Sequence, residues 1–424
     1  MTAGLLAASA LELVIGVGVV SLLRAPLGAA YLAGLAVTGI LSAHLALVHV
    51  SFGRIALALL AAASLVVTWR VPPRDWAVRG RPSAWGVAGL ASLVALLVHA
   101  WPTFAARPLI DYDGWAIWAM KAKALALLGW ADPALFASAG AVPAHLDYPL
   151  LLPSLEAVAI RAMGGFDPRL IHLQFLLFGI AGIAALHGLL RDRVPGWLLW
   201  PVLVALAYAP AVSGQLLTAY ADMPLALFVA AGVLAGARWV DDAQPRTLAL
   251  ATLFLGAACL TKNEGVIFTA AAYGGLLLAT RRFRPILISA LAVEAMLLPW
   301  QIWLAVHRIN SNTLLGRHVL DAHPGIVRDA LRGLLDRALS PGQWSLLALL
   351  FVVAVVLAAG SRLAVYAGAW ALLSLLGLAW VYAVSPLDWS LDSSGNRVID
   401  SVLVGAAALT PLLGAKALGR IEPP

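Results

Sequence analysis

The sequence predicts an all-α, polytopic transmembrane protein of about 13 spans, and three observations lead there. First, the 424-residue chain is 62% hydrophobic and 12% charged, whereas an ordinary soluble domain is roughly a quarter charged. No water-soluble core of this length hides so much apolar surface. Second, apolar stretches long enough to approach the roughly 20 residues needed to cross the hydrocarbon layer recur from end to end. Third, these runs are continuous rather than alternating, which selects helices over the strands of a barrel.

Taken in order, the spans fall at 3–23, 27–49, 54–69, 84–104, 170–190, 197–212, 222–238, 247–260, 266–280, 286–306, 343–359, 363–384 and 398–415. No basic region precedes the first run and Arg24 follows it, so it reads as an uncleaved span with its N-terminus outside. The short connections carry Arg70, Arg74, Arg79 and Arg81; Arg191 and Arg193; Arg238 and Arg246; Arg281, Arg282 and Arg284; Arg362; and Lys416 and Arg420. Strict alternation puts all of these on one side, and the excess of arginine in short loops marks that side as cytoplasmic. The formal charge of +7 is thereby explained by topology, and nucleic acid is not implied as a partner. Pro72, Pro73 and Pro82 mark a linker, which divides the chain into an N-terminal three-span unit with its linker, 1–83, and a second unit, 84–424. The single cysteine, Cys259, excludes an intrachain disulfide and a cysteine-rich metal site.

The other side receives 105–169, 213–221, 261–265, 307–342 and 385–397, where most of the acidic residues lie. Asp111-Tyr112-Asp113-Gly114-Trp115 follows the fourth span. Two carboxylates at this spacing can act as a base and its partner, can share a cation with a phosphate, or can belong to a solvated loop or helix start. After them, Trp115, Trp118, Ala122 and Leu125 share one face of a predicted helix, opposite Ile117, Met120 and Leu127, with Lys121 and Lys123 between. That pattern suits a membrane interface, with lysines open to phosphates, or a plain surface anchor. His145-Leu146-Asp147-Tyr148-Pro149 offers a proton relay or two ligands of an incomplete metal site, and equally a turn returning the chain to the membrane. Asp222 and Pro224 mark a helix start. Lys262 and Glu264, in the tight connection Thr261–Gly265, can pair with each other or bind a phosphate and a sugar hydroxyl. Arg397 closes the segment that begins at Asp388; it suits bidentate phosphate binding, or snorkelling at a helix end. His307, His318, Asp321 and His323 offer metal ligands, but their segment is long and reads as a substrate-contacting loop. Glu12 and Glu294 fall inside apolar spans, where ionisable groups are costly.

Together the acidic pair Asp111 and Asp113, the helix after it, HLDYPLLLP, ADMPL, LTKNEG, LPW at Leu298–Trp300 and SLDSSGNR resemble the polytopic GT-C glycosyltransferases. These are the superfamily of protein O-mannosyltransferases and lipid A aminoarabinose transferases. The resemblance runs from about residue 100 to 415 in matching order and sidedness, with loop 105–169 carrying the acidic motif. The chain departs from the pattern in its three extra N-terminal spans, in having no soluble C-terminal domain, and in an Asp-x-Asp pair where the family has adjacent acids. The resemblance implies an inverting sugar transfer from a polyprenyl-phosphate donor to a lipid, glycan or protein acceptor outside the cytoplasm of a bacterial inner membrane. On that reading Asp113 is the general base, and Asp111 orients it or binds a divalent cation, Mg or Mn. Lys262 and Arg397 hold phosphate, and His145, Asp147, Tyr148, Asp222 and Glu264 contact sugar or acceptor.

Two other classes compete. A secondary transporter or lipid-linked sugar flippase places its polar groups near the midplane and often shows an internal repeat; here the midplane offers Glu12 and Glu294 while the outer rim is rich. A noncatalytic envelope subunit has no need of the acidic outer motifs.

Overall fold

The computed structural model describes residues 1–73, 83–136, 145–309, 324–384 and 390–419. Among them the chain is helical throughout, and no strand occurs. Among the described residues eight helices are long and apolar enough to cross a membrane, or nine if one bent pair is a single span. The chain is therefore an integral membrane protein of several long apolar helices.

The centre is α11 (Asp222–Asp242), whose apolar window is entirely buried. A helix this enclosed must let its neighbours come close, and its small residues do so. At Gly236 a Cβ would meet the Tyr366 hydroxyl at 2.5 Å, and that hydroxyl instead donates to Val233 O at 3.0 Å. Around α11 pack α8 (Pro168–Leu190), α12 (Pro245–Thr261), α13 (Gly265–Thr280), α18 (Arg362–Val384) and α19 (Ser390–Ala417). Two further helices, α4 (Ala84–Ala106) and α14 (Phe283–Val306), lie outside this ring; only 6% of the α4 window is buried, as for a helix facing lipid.

The N-terminal helices α1 (Thr2–Leu23), α2 (Leu27–Leu47 with its opening 3-10 turn) and α3 (Arg54–Arg70) are packed onto the rest. Their partners are α7 (Leu151–Met163), α8 and α12. Arg161 on α7 fastens the junction, donating to Phe52 O at 3.0 Å and to Leu125 O and Ala126 O.

Each of the thirteen predicted spans contains a helix, but not every one has the length of a crossing. The predicted span 343–359 is α17 (Leu347–Leu357), 11 residues preceded by the single turn Pro341–Trp344. At 1.5 Å per residue it covers only about half of the hydrocarbon layer. The predicted span 197–212 is α9 (Gly196–Tyr208) followed by α10 (Pro210–Thr218), bent by 49°. Pro210 lacks the N–H that would continue α9, so the chain breaks there and restarts in a new direction.

Candidate functional site

The loops at one end of the bundle bring together side chains that are hundreds of residues apart. Asp113 lies at the N-terminus of the π-helical segment Gly114–Ala119, which runs into α5 (Met120–Leu128). Its Oδ2 accepts from Arg397 Nη1 at 2.5 Å. The same nitrogen lies 3.8 Å from Asp222 Oδ2, and Asp222 Oδ1 accepts from Lys262 Nζ at 2.8 Å. Lys262 also pairs with Glu264 Oε1 at 3.1 Å. Acid and base thus alternate along Asp113, Arg397, Asp222, Lys262 and Glu264, all half-buried or buried. Arg397 also covers the Tyr220 ring at 4.8 Å, a cation–π contact.

Local sequence explains each placement. Asp222 opens α11, where the helix dipole favours a carboxylate. Capping alone does not account for it, since the N-cap is Ala221 and the Asp222 carboxylate faces Lys262. Lys262 leaves the end of α12 in extended conformation, and Gly265 starts α13 with its N–H on Lys262 O at 2.9 Å. Arg397 is on α19, and rather than snorkelling outward it turns into the cluster. Burial works against the charge on Lys262, but Asp222 and then Glu264 outweigh it and hold its pKa well above the usual lysine range.

A second layer adjoins the first. His145, with a left-handed backbone (φ 46°), stacks on Tyr148 at 4.9 Å between ring centroids, and Tyr148 stacks on Trp118 at 5.5 Å. Lys262 Nζ lies 5.8 Å from the Tyr148 ring. Asp147 Oδ2 accepts from Asn263 at 2.9 Å, and Asp147 O accepts from the Trp300 indole at 3.1 Å, which ties HLDYP, LTKNEG and LPW into one body. Burial pushes the Tyr148 hydroxyl up and the His145 imidazole down, keeping both neutral near pH 7.

The helix expected after Asp113 is present, but its faces are not the expected ones. Ala116, Ile117, Trp118 and Ala119 are all buried, while Trp115 is 50% exposed. The wider π turn shifts the register, so that Trp115 and Trp118 no longer share a face. Lys121, expected to be open to phosphates, is fully buried beside Trp118 and Tyr148, and its Nζ donates to His145 O at 2.5 Å. Burial lowers its pKa to about 7, with Asp147 acting in the opposite direction.

Asp111 stands apart from the Asp113 cluster. Its carboxylate is taken by Arg107 one turn earlier, at 2.8 Å. Among the described residues no three His, Cys, Asp or Glu side chains gather into one group. His307 turns back onto Trp303 O of its own helix. His318, Asp321, His323 and Asp388 lie outside the described residues. Of the two acids expected inside spans, Glu12 is buried on α1 and Glu294 is exposed on α14.

One residue at the site is not among those the sequence singles out. Asp400, one helical turn beyond Arg397, is fully buried, and neither carboxyl oxygen has a hydrogen-bond partner among the described residues. An ionisable group inside an apolar run, three residues after an arginine, was the available signal. Glu264 Oε2 is likewise buried without a hydrogen-bond partner among the described residues.

Compared with protein-family models, with curated proteins and with solved structures, the chain matches none.

Proposed function

We propose that the protein is a membrane glycosyltransferase that moves a sugar from a polyprenyl-phosphate donor to an acceptor outside the cytoplasm of a bacterial inner membrane, with inversion. The observation that carries this reading is the alternation of Asp113, Arg397, Asp222, Lys262 and Glu264 at one end of a bundle of long apolar helices. A donor whose tail lies in the bilayer brings its phosphate and anomeric carbon to that depth. There it meets two cations that can take the leaving phosphate and a carboxylate that can take a proton.

In the proposed reaction the acceptor hydroxyl gives its proton to Asp113 and its oxygen bonds to the anomeric carbon from the face opposite the phosphate. The bond from that carbon to the phosphate oxygen breaks, and its electron pair leaves on the phosphate, whose charge Arg397 and Lys262 offset. Asp113 is engaged by Arg397 at rest, so the two roles are linked. Donor phosphate draws Arg397 toward itself and frees the carboxylate to act as a base. Glu264 Oε2, buried and without a hydrogen-bond partner among the described residues, suits a sugar hydroxyl. Tyr148, stacked between His145 and Trp118, offers a sugar ring an aromatic neighbour. Asp147 acts through its bond to Asn263, holding the Lys262 turn. Asp111 positions the loop through Arg107.

The test is transfer in membranes supplied with a polyprenyl-phosphate sugar. Asp113→Asn should abolish it while leaving expression intact, and full activity in that variant removes Asp113 from the role.

A second reading, a secondary transporter or lipid-linked sugar flippase, draws on Glu12, Glu156 and Asp400, carboxyl groups buried within the helices. It is separated from the first by product. A carrier moves the lipid-linked sugar across vesicles unchanged, and Asp400→Asn slows that movement; a transferase consumes the donor.

A further inference from the structure

The opposite end of the molecule holds a cavity of about 340 Å³ that the proposed reaction does not use. It lies between the connection from α1 to α2, the ends of α8 and α11, and the start of α12, and is lined by Arg24, Arg238, Asp242 and Arg246. The inner charges are already matched. Arg238 grips Asp192 with both terminal nitrogens, at 2.6 and 2.8 Å, and donates to Leu189 O. Asp242 accepts from Arg193 at 3.1 Å and from the Thr247 hydroxyl at 3.2 Å. Arg24 and Arg246 are different: both are exposed at the rim, and neither has an ion pair among the described residues.

Two guanidiniums with no ion pair among the described residues thus face a cavity with a prearranged polar floor. Arg246 also sits in the first turn of α12, which begins with Pro245, so the helix dipole adds positive potential at the same place. The cavity stands where three helices long enough to cross a membrane end or turn, α1, α8 and α11, and Leu23, Pro26 and Pro72 add an apolar edge. A phosphate attached to a bilayer lipid fits all of these features. Guanidiniums take its oxygens, the apolar edge meets the glycerol, and the volume admits a headgroup but not the acyl chains.

We propose that this cavity is a binding site for the phosphate of an anionic phospholipid headgroup, which ties the N-terminal helices to α8, α11 and α12. The experiment follows thermal unfolding of the full chain in a neutral detergent. Short-chain phosphatidylglycerol, short-chain phosphatidylcholine and inorganic phosphate are each titrated in. Wild type, Arg24→Gln/Arg246→Gln and, as a charge control at the same end, Arg281→Gln/Arg284→Gln are compared. Phosphatidylglycerol should raise the melting temperature saturably in wild type and in the control. In the Arg24/Arg246 variant the half-saturating concentration should rise by about tenfold or more, because glutamine cannot replace the charge-assisted hydrogen bonds of either guanidinium. Retention of phosphatidylglycerol in native mass spectrometry reads the same contrast without unfolding the protein. An equal response to inorganic phosphate assigns the cavity to the free anion and overturns the lipid. Equal responses to the two lipids, or an Arg24/Arg246 variant that behaves as wild type, overturn the site.

Discussion

Asp113 and Arg397 are 284 positions apart in the chain and share a hydrogen bond of 2.5 Å, so each residue's chemistry depends on the other. Loss of a general base costs roughly 10²- to 10⁴-fold, and Asp113→Asn should lower transfer by at least about that lower figure, read as turnover of a polyprenyl-phosphate sugar. The pair Lys262 and Asp222 separates structure from chemistry. Lys262→Met leaves the Asp222 carboxylate buried beside a single remaining cation and should cost about 3 kcal/mol or more of stability. Lys262→Met/Asp222→Leu should recover most of that stability in a thermal melt yet stay inactive; activity returning with stability would reduce both residues to structural roles. Lys121 makes a prediction in pH. Its folded pKa, about 7, lies below the ordinary lysine value of 10.5, so between those values the unfolded chain binds more protons. Stability therefore rises with pH across that window, by at most about 1.4 kcal/mol per pH unit. Lys121→Met should flatten the rise in melting temperature from pH 7 to 10 relative to wild type, and parallel curves for the two proteins would refute it.

At the scale of elements, the site depends on how closely backbones approach. Gly114 opens the π-helical segment against the end of α10, and a Cβ there would meet Thr218 O at 2.8 Å. Gly114→Ala must move one of the two, and with it Asp113 relative to Arg397. Because a misplacement of about 1 Å can cost about 10²-fold, transfer should fall by at least about tenfold. The melting temperature should drop by only a few degrees, and an unchanged rate would show that the segment tolerates the shift. The elements themselves were largely readable in the sequence. Continuous apolar runs located the helices, and Pro210, visible in the sequence, explains the break between α9 and α10. The π turn at Gly114–Ala119 was not readable from the ordinary helical period, and neither was the close packing of its first residue against Thr218, more than a hundred residues later. Periodicity with the ordinary 3.6 residues per turn therefore placed Trp118 and Lys121 at a surface, whereas both are interior.

On the scale of the whole molecule, the charged cluster and the arginine-lined cavity lie at opposite ends of the same helices. Helix α8 runs from Asp167 near the first end to Arg191 near the other, and α13 and α14 meet at Arg281–Arg284 on the arginine-rich end. Cytoplasmic placement of that end predicts a labelling pattern in intact cells. Because Cys259 is buried and is the single cysteine, Arg169→Cys and Arg284→Cys each introduce one exposed thiol. A membrane-impermeant maleimide should label Arg169→Cys before the cells are opened and Arg284→Cys only afterwards. The reverse pattern would turn the site toward the cytoplasm and remove an extracytoplasmic acceptor.

The sequence by itself determined that this is a helical membrane protein, where its long apolar helices lie, and that its acidic motifs fall in different connections from the arginine-rich ones; the shorter helices α7 and Pro324–Ala338 lie in stretches it read as loops. Those properties depend on apolar run length and local charge, which act within one or two turns of the chain. Only the tertiary structure decided which charges meet. It joined Asp113 to Arg397 and Asp222 to Lys262, turned Asp111 aside to Arg107, drew Lys121 inside and buried Asp400 one turn along the helix from Arg397. Pairing of buried charges is set by distances across packed helices, where the low dielectric makes an unmatched neighbour costly, and no local pattern encodes those distances.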